Sequence, residues 1–156
     1  MIHRHPEKSV ISGSALVEEI NNALNLPIHE CQRRTWAMYV LHNYAAMANA
    51  ATRFRKINGT KMFLDIYYDD LINDPLQTVE KIYRFAGETN IRTTPRDASD
   101  CLDKNLKEDM KNYLQQSAKD RMTHRKPMKH DLQEFGFTSE DIESQFKPYL
   151  EHFFSE

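Results

Sequence analysis

Residues 62–87, MFLDIYYDDLINDPLQTVEKIYRFAG, decide how this chain is expected to fold. The segment opens with an apolar and aromatic run from Met62 to Tyr67, which has the length and composition of a strand covered on both faces. The acidic residues Asp69 and Asp70 follow, and they predict a tight turn. The segment therefore begins as a buried strand that leads into an acidic turn.

The second part of this segment predicts a helix with defined ends. Asn73 or Asp74 can accept a hydrogen bond from the free amides of the first turn, and Pro75 suits the first helical position. We expect the helix to end at Gly87, a residue that adopts the left-handed conformation easily. One face of this helix is apolar, with Val79, Ile82, Tyr83 and Phe85.

The composition indicates a globular protein of one domain over residues 1–156. The chain is 40% hydrophobic and 28% charged, and its formal net charge of -2 gives no reason to expect nucleic acid binding. No apolar run approaches the roughly 20 residues that span a bilayer. The N-terminal residues also lack the apolar core of a signal peptide. We therefore expect a soluble, cytoplasmic protein.

The four glycines restrict how a nucleotide could be bound. They lie far apart, at Gly13, Gly59, Gly87 and Gly136, so no segment matches a glycine-rich phosphate loop.

The pattern along the chain predicts a helix-rich α/β fold with about five helices and one or two strands. A freestanding sheet needs more strands than that. The chain is therefore expected to be part of a larger fold, with an N-terminal half missing, or to borrow strands in an oligomer.

The second helix carries an apolar stripe that we expect in the core: Trp36, Val40, Tyr44, Met47, Ala51 and Phe54. Thr138 and Asp141 form a capping box for a last helix, which Pro148 should kink or split.

Arg4 and Ser12 form the first candidate binding site. Arg4 stands where a first strand would end, and Ser12 lies in an early turn of the helix that Pro6 begins. An arginine fork, a hydroxyl and a helix N-terminus together suit a dianion. The alternative is a surface arginine and a helix serine with no ligand. His3 and His5 lack a third ligand, so we expect no metal site.

Tyr68 and a late basic segment provide two further candidates. Tyr68 precedes the acidic pair, and its ring suits contact with a purine. Arg125 and then Lys126 are the preferred phosphate ligands in the segment THRKPMKHD, residues 123–131. An ordinary acidic turn and an exposed basic loop are the alternatives.

The order and spacing of these motifs resemble the C-terminal portion of the sulfotransferase family. Arg4 is followed eight positions later by Ser12, with proline and two apolar residues between them, as in that family. The Tyr-acidic-Asp-Leu turn with Asp-Pro and its helix is similar as well. A basic loop before a last helix with Phe146 and Tyr149 resembles one branch of the family. The resemblance implies part of a P-loop-type sulfotransferase fold.

The resemblance also implies roles for the candidate residues. The donor would be 3′-phosphoadenosine 5′-phosphosulfate (PAPS) or its product adenosine 3′,5′-bisphosphate (PAP). Arg4 and Ser12 would bind its 3′-phosphate, Tyr68 would pack near its adenine, and Arg125 with Lys126 would close over the 3′-phosphate. No metal is implied.

Sulfuryl transfer from PAPS to a hydroxyl or amine acceptor is the function that follows. The phosphosulfate loop and the catalytic base of the family lie upstream of the similar region, so no catalytic residue is identified and the chain alone is expected to be inactive. Two alternatives stay open. One is a degenerate family member without nucleotide binding, and the other is a non-catalytic helical interaction protein.

Overall fold

A computed structural model of the chain describes residues 1–59, 61–88, 104–124 and 130–155. The described part is helix-rich, with six α-helices and one parallel two-stranded sheet. In chain order the elements are β1 (Ile2–His3), α1 (Pro6–Ala23), α2 (Glu30–Asn58), β2 (Ile66–Tyr67), α3 (Tyr68–Asn73), α4 (Pro75–Glu88), α5 (Lys104–His124) and α6 (Ser139–Phe153). A 3-10 turn, Gln133–Phe135, precedes α6. The helix-rich α/β prediction is confirmed.

The residues group into two compact units. The strand unit comprises Met1–His3 and Lys61–Met128, and the three-helix unit comprises Arg4–Thr60 and Lys129–Glu156. This division does not test the prediction of a single domain, which stays a prediction.

In the three-helix unit, α1, α2 and α6 pack around an apolar core. The face of α2 that enters this core has small and medium side chains four residues apart, Ala37, Leu41 and Ala45. The other buried members of the core are Val10, Ala15, Phe135, Phe137, Ile142, Phe146, Tyr149 and Phe153. Alanines on α2 let the neighbouring helices approach closely, while the aromatic rings of the C-terminal segment fill the remaining volume.

The predicted core stripe of α2 is largely wrong. Its largest members are exposed in the described structure: Trp36, Tyr44, Met47 and Phe54. Val40 alone among its members is buried, and Ala51 is half-buried. The face of α2 that packs into the core contains residues 37, 41 and 45, each one position after a residue of the predicted stripe. Two adjacent faces of α2 are apolar, and packing selected the one with the smaller side chains.

An ion pair joins α1 to α2 within the three-helix unit. Arg33 donates to both carboxylate oxygens of Glu18, with Nη2 at 2.8 Å from Oε2. The hydrogen bond to Glu18 raises the pKa of Arg33 above its ordinary value. The guanidinium also lies 5.1 Å from the centre of the Phe135 ring, so it joins the polar surface to the core.

The capping box at the start of α6 is confirmed. The Thr138 hydroxyl accepts from the Asp141 amide at 3.2 Å, and the Asp141 carboxylate accepts from the Thr138 amide at 2.8 Å. The helix buries Ile142 and Phe146 in the core of the unit. Pro148 does not split the helix, which runs without interruption to Phe153.

In the strand unit, β1 and β2 are shorter than the sequence predicted. The predicted strand over 62–67 is reduced to Ile66–Tyr67, and Met62 is exposed. Within the described residues the sheet has one partner strand, so the run is not covered on both faces and Ile66 is its buried member. A short helix, α3, replaces the predicted acidic turn.

The start of α4 follows the prediction and its end does not. The Asp74 carboxylate accepts from the Gln77 amide at 3.0 Å, and Pro75 begins the helix. The helix continues through Gly87 to Glu88, so Gly87 does not end it.

Candidate functional site

The two strands bring two chain segments together in a parallel register. Ile2 is opposite Ile66, and His3 is opposite Tyr67. The Ile66 amide donates to the Met1 carbonyl at 2.9 Å, which fixes this register. Ligands of open α/β sheets bind beyond the carboxyl ends of the strands. In this sheet the carboxyl ends are His3 and Tyr67.

Arg4 follows β1 directly and stands before the N-terminus of α1. Its side chain is half-buried. Helix α1 begins at Pro6 without a side-chain hydrogen bond from the N-cap residue, His5. The His5 ring instead packs edge-on to Phe154, with 5.8 Å between ring centres. Histidine is not among the residues that cap helix N-termini well, and the amides of the first turn retain their partial positive charge.

Ser12 lies two turns further along α1 and its side chain is exposed. The next residue, Gly13, is buried under the ring of Tyr44. A Cβ atom at Gly13 would lie 2.7 Å from the Tyr44 hydroxyl, so any larger residue would require the end of the Tyr44 side chain to move. The helix that carries the exposed Ser12 hydroxyl therefore packs against α2 through the next residue, Gly13.

Tyr68 follows β2 directly and is the first residue of α3. Its side chain is half-buried, whereas Asp69 and Asp70 are exposed in the first turn of the helix. Carboxylates at this position stabilise the positive end of a helix. The two acidic residues therefore stabilise the start of α3.

The other predicted phosphate ligands, Arg125 and Lys126, lie outside the described residues. Their neighbour His130 is described, and its Nδ1 atom is 2.7 Å from Glu134 Oε2.

A groove of about 560 Å³ lies beside His5 in the three-helix unit. Its lining includes the carboxylates of Glu140, Glu143 and Glu151, the ammonium of Lys147, and the apolar side chains of Leu150 and Phe154. The excess of negative charge opposes the binding of a bisphosphate. The groove therefore does not suit the nucleotide that the sequence implies.

Comparison with known proteins decides the family. A model of the Sulfotransferase family matches residues 1–92, which is more than half of the chain. The chain belongs to the sulfotransferase family. No curated protein and no solved structure matches it. In the part of the chain that the structure describes, no helix is long and apolar enough to cross a membrane.

The sulfotransferase match covers some of the predicted ligands and not others. Arg4, Ser12 and Tyr68 lie inside the matched residues, whereas Arg125 and Lys126 lie beyond them. The structure places Arg4 and Ser12 in the three-helix unit, near the start of one helix, and Tyr68 in the strand unit.

The contact between His3 and Asp65 was not predicted from the sequence. The His3 side chain has no exposed surface, and its Nε2 atom is 2.7 Å from Asp65 Oδ1. The sequence did contain a signal, because Asp65 interrupts the apolar run from Met62 to Tyr67. A carboxylate in a buried strand needs a partner. The sequence suggested a metal as the only partner to consider for His3, whereas the structure pairs it with the Asp65 carboxylate.

Proposed function

We propose that this sulfotransferase binds the adenosine 3′,5′-bisphosphate part of PAPS. The reaction it serves is transfer of the sulfuryl group to a hydroxyl or amine acceptor. Family membership implies a sulfate donor in general. The contribution of this chain is the side of the site that holds the 3′-phosphate and the adenine.

The strand register is the observation that supports this proposal. His3 is opposite Tyr67, so Arg4 and Tyr68 are the next residues along the two parallel segments. Paired strands lie about 4.8 Å apart, and consecutive Cα atoms are about 3.8 Å apart. Each residue is therefore bonded to the carboxyl end of a strand, and open α/β sheets bind ligands beyond those ends.

Arg4 and Ser12 are proposed to bind the 3′-phosphate. The guanidinium of Arg4 offers a fork of donors that matches phosphate oxygens, and the amides at the start of α1 add positive partial charge. The exposed hydroxyl of Ser12 supplies a further donor. A dianion at this position is complemented by one full charge and by the helix dipole.

Tyr68 is proposed to pack against the adenine, since an aromatic face offers a large, rigid surface to a purine. Arg125 and Lys126 are proposed as additional cations for the 3′-phosphate, in the basic segment between α5 and α6.

The chain alone is proposed to be inactive. In sulfuryl transfer a base deprotonates the acceptor, which attacks sulfur in line while donors stabilise the leaving phosphate. The four separated glycines form no phosphate loop, and no residue of the chain is assigned as the base. Both units are proposed to belong to one sulfotransferase-like domain of P-loop type.

A titration of the free energy of unfolding with PAP tests the proposal. At 100 times its dissociation constant, PAP should stabilise the folded chain by about 2.7 kcal/mol. Arg4→Ala should abolish this gain. Arg53→Ala is the matched control, because it removes an exposed arginine from α2 of the same unit, and it should keep the full gain. Equal behaviour of the two variants, or no gain in the wild type, would contradict the proposal.

A second candidate is a helical interaction protein. It is supported by the exposed large side chains on α2, among which Trp36 and Tyr39 pack edge-on at 6.4 Å. Exposed apolar surface of this kind occurs at protein interfaces. Absence of any stabilisation by PAP, with a PAP-independent effect of Trp36→Ala on self-association in sedimentation, would favour this function.

A further inference from the structure

His3 and Asp65 form the most buried polar contact of the strand unit. The His3 side chain is completely buried, and the Asp65 side chain keeps 31% of its surface exposed. The His3 Nε2 atom is 2.7 Å from Asp65 Oδ1, a distance typical of a charge-assisted hydrogen bond. The contact joins the last residue of β1 to the residue that immediately precedes β2.

The rest of the strand pairing is small. Each strand has two residues, and an isolated pair of strands is marginally stable. Ile66 is the buried apolar member of β2. A side-chain bond across the two strands is therefore a large share of what holds β1 in register.

Two further contacts are made by this pair. The Tyr67 ring lies against His3 with 5.5 Å between ring centres, and Lys81 of α4 donates to the Asp65 carbonyl at 3.5 Å.

We propose that His3 and Asp65 are positioning residues of the donor site. Their hydrogen bond fixes the end of β1 against β2, and it thereby fixes the backbone from which Arg4 and Tyr68 extend. This inference rests on the proposed function, because it assigns the pair a role in positioning Arg4 and Tyr68, the residues proposed to bind the nucleotide. Neither side chain is proposed to touch the nucleotide.

The hydrogen bond can be removed or kept by substitution at either end. Leucine at position 3 removes the ring donor, whereas glutamine keeps an N–H donor. Leucine at position 65 removes the acceptor, whereas asparagine keeps a side-chain oxygen that accepts.

The test is the dissociation constant for PAP, measured by calorimetry at pH 8 with variants of the whole chain. Conditions are chosen where denaturant titration shows each variant folded. His3→Leu should weaken binding at least about tenfold at pH 8, since this is the loss that corresponds to about 1.4 kcal/mol. His3→Gln keeps an N–H donor near the Nε2 position and should bind within about threefold of the wild type.

Rescue by the conservative substitution is the readout at Asp65. Asp65→Asn should bind PAP within about threefold of the wild type, whereas Asp65→Leu should bind it at least about tenfold more weakly. Glu80→Leu is the matched control, because it also removes a paired carboxylate of the strand unit, 2.8 Å from Lys107, and it should bind PAP as the wild type does.

The outcomes separate this inference from the proposed function. If the wild type binds PAP and Arg4→Ala does not, but His3→Leu binds normally, the positioning role is wrong and the function stands. Equal losses in His3→Leu and His3→Gln would also overturn it, as would equal losses in Asp65→Leu and Asp65→Asn. If His3→Leu does not fold, the comparison of Asp65→Leu with Asp65→Asn and Glu80→Leu decides. Absence of binding by the wild type would contradict both.

Discussion

The two units of this member of the sulfotransferase family are stabilised in different ways. The three-helix unit has a continuous core of buried side chains, many of them aromatic rings from the C-terminal segment. In the described part of the strand unit, Ile66 is the buried hydrophobic residue, accompanied by buried His3 and Thr78. Apolar burial therefore dominates one unit, and a few polar contacts hold the strands of the other.

The residues that match the family are not the residues that supply most of the large core side chains. Residues 1–92 match the family and contain Arg4, Ser12 and Tyr68, whereas the aromatic rings that fill the three-helix core come from residues after 130. The segment that carries the proposed ligands is therefore not the segment that supplies most of the large core side chains. Changes in the C-terminal segment should affect stability first, and changes near the strand ends should affect binding first.

The largest expected effect is on the core of the three-helix unit. Phe135→Ala truncates a ring that is 2% exposed, and it should lower the free energy of unfolding by about 3–5 kcal/mol. Met47→Ala, at a side chain that is 69% exposed on α2, should change it by less than about 0.5 kcal/mol. Denaturant titration followed by the fluorescence of Trp36, the one tryptophan, measures both. Similar small losses would show that this core is not what stabilises the unit.

A smaller effect is expected where α1 meets α2. The Cβ atom in Gly13→Ala would lie 2.7–2.9 Å from the end of the Tyr44 side chain. Overpacking costs about 1–3 kcal/mol, and alanine gains about 0.5–1 kcal/mol over glycine in a helix, so a net loss of about 1 kcal/mol is expected.

The Tyr44→Ala background is the control for this contact. Without the ring, Gly13→Ala should stabilise the protein by about 0.5–1 kcal/mol through helix propensity alone. A double-mutant cycle of denaturant titrations measures the coupling. Additive effects of the two substitutions would show that the ring does not restrict position 13.

The smallest expected effect is at the capping box of α6. Hydrogen bonds from the Thr138 amide and hydroxyl lower the pKa of Asp141. A lowered pKa means that the contribution of Asp141 is complete above its unfolded pKa of about 3.9 and is lost as the pH falls through the folded pKa. The wild type should therefore lose more stability than Asp141→Asn between pH 5 and pH 3. Parallel pH profiles of unfolding would contradict this cap.

Local chemical signals predicted the helix starts well. Pro6, Pro75 and the capping box of Thr138 with Asp141 each satisfy or remove free amides at a helix N-terminus, a requirement set within one turn of chain. Such features depend on near neighbours alone, so sequence reasoning recovers them. The resemblance to the sulfotransferase family was recovered for the same reason, since its motifs are short and ordered.

The tertiary contacts were not predicted from the sequence. Trp36 and Met47 were expected inside and lie outside, because two adjacent faces of α2 are apolar and only the packing of α1 and α6 selects between them. The pairing of His3 with Asp65 spans 62 positions, and no local rule connects them. The predicted roles of Arg125 and Lys126 fall outside the described residues and stay predictions.

The selectivity of the chain for the 3′-phosphate tests the central claim most directly. Calorimetry should show that the wild type binds PAP at least about tenfold more tightly than adenosine 5′-monophosphate, because a hydrogen bond to a charged group contributes about 1.5–3 kcal/mol. Arg4→Ala should bind the two nucleotides equally, and Arg53→Ala should keep the full preference. Equal affinity of the wild type for both nucleotides would contradict the claim that Arg4 and Ser12 bind the 3′-phosphate.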